Sequence, residues 1–215
     1  MPIYTLFTMK TLHLLIKHFL RTTPVFGVII SVIFLLVTCQ NPFSTREPEL
    51  PSGEQTLWIQ PIAPEIVLIN LQSAIQERNI ENYIRCFGLV EDVRKNFTFV
   101  PEISVANNFQ GIFLNWGIIE ERNYMNHLFG LTPADSVSNL RLTDITEIQF
   151  GDSVSTTKEY DLFIAHTNPS APVIVNGRMV LNLRKGSDAL WFISSWSDFK
   201  TGNSPVWTLL KAEFK

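Results

Sequence analysis

The chain has 215 residues, 46% hydrophobic and 17% charged, with a formal net charge of −3, a length that holds one domain or at most two. Lys10, Lys17 and Arg21 are the only fixed charges in the first 38 residues, so the remainder carries 14 basic against 20 acidic residues, a net of about −6. An acidic body excludes the basic face that drives nucleic-acid binding, and adhesion to anionic lipid by charge alone.

The basic flank is followed by an apolar run from Val25 to Val37, broken only by Gly27 and Ser31. A basic segment leading into a short apolar core is the layout of a secretory signal. A membrane-spanning helix is the rival reading, but it needs about 20 apolar residues, and Lys17, His18 and Arg21 divide the apolar residues upstream. The run ends at Leu36-Val37-Thr38-Cys39, which resembles a lipobox, the recognition site of bacterial lipoprotein signal peptidase. Leu36 and Val37 fit that pattern, and Thr38 departs from its usual small residue. The resemblance implies that residues 1–38 are removed and that Cys39 carries the lipid. It also implies a cell-envelope location, at the outer membrane on the periplasmic side in a diderm organism, since Gln40 rather than Asp follows the cysteine. The start lies at Met1 or, with a more typical signal length, at Met9. Cys86 is then the one thiol left, and it cannot form an internal disulfide.

Residues 39–55 are rich in proline and poor in apolar side chains, a composition that spaces rather than folds. They read as a tether, leaving residues 56–215 as a single domain. Pro64 and Glu65 suit a helix start. The spacing of Leu68, Leu71 and Ile75, then Ile80, Ile84 and Phe87, predicts helices over 64–77 and 80–87, split at Asn79 and stopped by Gly88. Residues 96–101 alternate and end at Pro101, as an edge strand does. A third helix is expected over 118–129, with Ile119, Tyr124, Leu128 and Phe129 buried and Glu120, Glu121 and Arg122 facing solvent. From Val137 the period falls to two. Leu140, Leu142, Ile148 and Phe150 are expected on one face. Tyr160, Leu162 and Ile164 follow on a second strand, then Val173, Val175, Met179, Leu181 and Leu183, and last Trp191 to Trp196. Turns fall at Gly151-Asp152, Asn168-Pro169 and Lys185-Gly186. Helices followed by four long consecutive strands predict an α+β domain, with helices packed on a curved antiparallel sheet.

The segments AIQERNIENYIRCF, FTFVP, EERNYMNHLF, LWFISSWSDF and WTLLKAEF, in that order, resemble the nuclear transport factor 2-like superfamily of cystatin-like, SnoaL-like cones. More narrowly they resemble bacterial envelope lipoproteins in which that domain follows a lipobox. The resemblance implies a cone of sheet around a helix, with a pocket at one end. It implies also that a homodimer can form through the outer sheet face, where Phe163 and Ala165 stand beside Asp161. It names no activity, because such folds host isomerases, dehydratases and purely binding proteins.

The candidate site follows from residue types. Strict alternation places Asp144 with Leu140 and Leu142, and a carboxyl in an apolar pocket is suited to acid–base work; a bulge or frayed edge would instead turn it to solvent. Tyr83, Phe99, Trp116, Tyr124 and Trp196 are candidates to line a pocket for a small apolar ligand, or simply to fill the cone. His127 and His166 read as surface and solvated-turn residues. Cys86 reads as core packing, since buried thiols are normally inert. No metal-ligand spacing, P-loop, dinucleotide fingerprint or nucleophile elbow occurs, so neither a metal nor a cofactor is expected. The leading expectation is a non-enzymatic, lipid-anchored module binding a small ligand or a protein. The alternative is an isomerase or dehydratase using Asp144.

Overall fold

The computed structural model describes residues 57–87 and 97–215. The signal, Cys39, the tether, Gly88 and the choice between Met1 and Met9 lie outside the described residues.

Helix α1 spans Pro64–Gln76, with Pro64 in its first turn, where the missing N–H costs nothing. It buries Val67, Leu68, Leu71, Ala74 and Ile75. Arg78 then takes a left-handed conformation at φ 53°, and Asn79 caps the next helix by accepting from the Asn82 N–H at 3.0 Å. Asn79 breaks the apolar rhythm because it is an N-cap. Helix α2 covers Ile80–Arg85. Strand β1 is Thr98–Val100. Helix α3, Ile103–Asn108, has no apolar period and was not expected; the Glu102 carboxylate caps it, accepting from Val105 N–H at 3.0 Å. Helix α4 spans Ile118–Gly130.

Four long strands follow: β2 Ser138–Phe150, β3 Ser153–Ile164, β4 Ile174–Lys185 and β5 Trp191–Phe199. Gly151, at φ 53°, and Asp152 form the two-residue turn of the β2–β3 hairpin. The sheet order is β1-β5-β4-β3-β2. All pairs are antiparallel except β1 with β5, which is parallel, so the sheet is mixed at the edge where β1 lies. Helix α5, Trp207–Glu213, ends the domain; this helix too was not expected from the sequence. The fold is α+β, with α1 packed on β2 and β5 and α5 on β4.

Two bulges shape the sheet. In β2 the register slips between Asp144 and Thr146, so Ile145 is the extra residue. In β5 Ser194 is extra, because Asn182 pairs with Ser195 and Leu183 with Ile193. Each extra residue inverts the alternation beyond it. Ile148 and Phe150 therefore face Ser155 and Ser153 on the outer side of the sheet, 62% and 82% exposed, and not the core side of Leu140. Period-two reading cannot detect an inserted residue, which is why the expectation for these two fails.

Candidate functional site

The five aromatic candidates converge inside the cone, and the chain itself fills the space between them. Phe99 arrives on β1, Trp116 on the segment before α4, Tyr124 on α4 and Trp196 on β5. None is more than 3% exposed. Their rings surround the Lys211 ammonium of α5, with centroids 4.4, 5.6, 4.9 and 4.3 Å from Nζ. Four aromatic faces around one ammonium make a cation–π cage.

Beneath the cage lies Glu121. It was expected to face solvent, yet it is fully buried. Its Oε1 accepts from the Tyr83 hydroxyl at 2.5 Å and from Lys211 Nζ, and its Oε2 accepts from Trp116 Nε1 at 2.7 Å. Ile119, expected in the core, is 66% exposed instead. The buried face of α4 runs through Glu121, Tyr124, Met125 and Leu128, an i, i+3, i+4, i+7 series. That period was present in the sequence and was overlooked because Glu121 is charged.

A second polar cluster adjoins the first. Tyr160 donates its hydroxyl to Asp198 Oδ1 at 2.8 Å and accepts from the Trp207 N–H at 2.8 Å. Asp198 Oδ2 accepts from Thr208 N–H at 2.7 Å and from Thr208 Oγ1 at 2.6 Å. Trp207 Nε1 donates to the Tyr124 hydroxyl at 2.9 Å, joining the two clusters.

Burial governs the electrostatics. Desolvation pulls the Lys211 ammonium below its ordinary value, and Glu121 opposes this. It pushes Asp198 up, with hydrogen bonds from Thr208 and Tyr160 acting against it. The phenols of Tyr83, Tyr124 and Tyr160 are pushed up, first by burial and next by the nearby carboxylates. Each of the four carboxylate oxygens of Glu121 and Asp198 thus accepts at least one hydrogen bond from the chain.

Asp144 is elsewhere. It sits opposite Lys158 on β3, and the two form an ion pair in which the Asp144 side chain is 83% exposed. It does not converge with the aromatic cluster. His127 is exposed, as expected, with Nδ1 2.9 Å from the Phe214 carbonyl. His166 differs from expectation: it is buried, with Nε2 3.1 Å from the Pro172 carbonyl and its ring edge-on to Phe214. Cys86 is packed in the core, with Sγ 3.3 Å from the Asn82 carbonyl, and burial pushes its thiol up. Among the described residues no group of three or more His, Cys, Asp or Glu is placed to hold a metal ion. No helix among them is long and apolar enough to cross a membrane.

No family model matches the chain, and no curated protein matches it. Solved structures do resemble it in outline. One, from Novosphingobium aromaticivorans, carries the provisional name of aromatic ring hydroxylase. It shares 19% identity over 64% of this chain and 86% of its own, with a TM-score of 0.47. A nuclear transport factor 2-like superfamily protein from Salmonella enterica serovar Typhimurium shares 12% identity over 65% and 87%, with a TM-score of 0.46. A protein of unknown function with a cystatin-like fold from Nostoc punctiforme shares 9% identity over 66% and 90%, with a TM-score of 0.44.

Proposed function

We propose that this chain is a lipid-anchored cell-envelope protein whose domain is a non-catalytic binding module. Cys39 is the point of lipid attachment in this reading, and residues 40–55 hold the domain off the bilayer. The observation that carries the non-catalytic part is that the two buried carboxylates are engaged by the chain itself. Lys211 occupies the aromatic cage, and each carboxylate oxygen of Glu121 and Asp198 accepts at least one hydrogen bond from the chain. A carboxyl poised for acid–base work needs a face toward a substrate, and neither has one. Asp144, 83% exposed in its ion pair with the buried Lys158, has the position of a surface carboxylate. Binding therefore falls to the outside of the domain. A homodimer through the outer sheet face, near Phe163 and Ile174, belongs to the same proposal; both residues are part-exposed.

The test is NMR titration of the protein with a panel of small cyclic ketones, naphthols and alkyl acids. Shifts confined to surface amides, with no turnover, are expected. Saturable shifts at Tyr124 and Trp196 accompanied by chemical conversion of a compound would overturn the reading.

A further inference from the structure

The two bulges, in different strands, build one feature. Beyond Ile145 the side chains of Ile148 and Phe150 rise on the outer face, and the extra residue in β5 brings Ser194 and Ser195 to the same side. Across the sheet the pairing makes two rows: Phe150, Ser153, Arg184 in one, and Ile148, Ser155, Asn182, Ser195 in the next. The small serines of β3 form a floor between an apolar wall on β2 and a polar wall on β4 and β5. The result is a groove of about 460 Å³, within the range of small-molecule sites. Bulges commonly re-aim side chains at functional sites. Without the slip in β2, this groove would lose its apolar wall to the opposite face.

The polar wall has a sign. No carboxylate lines the groove, and the nearby Asp152 lies 4.0 Å from Lys185. Arg184 is exposed and has no ion-pair partner among the described residues. Around it the remaining polar groups are neutral, and Asn182 Nδ2 donates to Ser195 Oγ at 2.7 Å, holding that wall in place. One guanidinium with neutral hydroxyls suits a monoanion, for which a fork of two N–H donors matches a carboxylate. A dianionic phosphate would call for further cations.

The geometry points to this groove as the binding site for a small amphipathic carboxylate, its hydrocarbon or aryl part against Ile148 and Phe150 and its carboxylate at Arg184. This deepens the binding-module reading and rests on it. The experiment uses the full lipidated chain in nanodiscs with 4-phenylbutyrate as probe and 4-phenylbutan-1-ol as neutral comparator. Binding is read at the Ile148 side-chain methyl by NMR, so partition of either compound into lipid does not register. Saturation with the carboxylate and weaker binding of the alcohol are expected. Arg184→Gln should weaken the carboxylate at least about tenfold, through loss of the charge-assisted fork, and remove the preference over the alcohol. Phe150→Ser should weaken both compounds. An unsaturable shift, equal affinity for acid and alcohol, or indifference to Arg184→Gln would overturn the site. So would a protein dimer that Phe150→Ser dissociates, since a second copy would then be the occupant. None of these touches the wider reading, whose failure is read separately, in turnover of a compound in the interior.

Discussion

Lys211 and Glu121, 90 residues apart, form an ion pair in which both side chains are fully buried. Each charge is tolerable only because the other is present. Removing one partner of such a pair costs about 3–5 kcal/mol, whereas replacing both by neutral groups costs far less. Lys211→Met and Glu121→Gln should each destabilise the domain by that amount in urea denaturation. The double variant should recover much of the loss, giving a large coupling energy. Additive single effects would show that the pair is not the fixed unit described.

Gly177 supports the second cluster from outside it. A Cβ there would lie 2.7 Å from both the Tyr160 hydroxyl and the Phe199 carbonyl. Gly177→Ala must therefore displace the phenol that links Asp198 to Trp207. A loss of about 1–3 kcal/mol is expected, typical of overpacking. An unchanged urea midpoint would contradict the close approach.

The pH dependence of stability carries the signature of Asp198. Burial raises its carboxyl above the ordinary aspartate value, so the folded state holds that proton more tightly than the unfolded one. Its contribution is most favourable below the ordinary value, declines as pH rises through the raised folded value, and is constant above it. Asp198→Asn cannot titrate. The stability of the wild type relative to that variant should thus fall as pH rises through the window. A relative stability that increased with pH would contradict the assignment.

Lipid attachment makes a separate demand on the N-terminal segment. Cys39→Ala should leave an unprocessed precursor with no incorporated fatty acid, read by gel mobility and metabolic labelling. Normal processing would remove the anchor from the proposal.

Much of the fold was legible because its signals are periodic. Leu68, Leu71 and Ile75 fix the buried face of α1, and Tyr160, Leu162 and Ile164 that of β3. The packing of Phe99, Trp116, Tyr124 and Trp196 on one another was also legible, since aromatic side chains at core spacing do meet. Their occupant was not. Lys211 shares a helical face with Trp207, Leu210 and Phe214, and Asp198 lies two residues beyond Trp196 on a strand, so period alone would place both inside. The expectation that charged residues face water overrode that period for Glu121, although paired charges can be buried. Ile148 and Phe150 were lost to a different cause, the single residue inserted at Ile145, which no alternation pattern announces.

The central claim is that the interior of the cone is closed on Lys211. Amine acetylation of the native protein with a water-soluble reagent, read by peptide mass spectrometry, tests it directly. Lys200 and Lys215, both exposed, should be modified while Lys211 stays intact until urea is added. Modification of Lys211 at the rate of Lys215 in the native protein would mean an open interior, and the reading of a closed, non-catalytic module would fall.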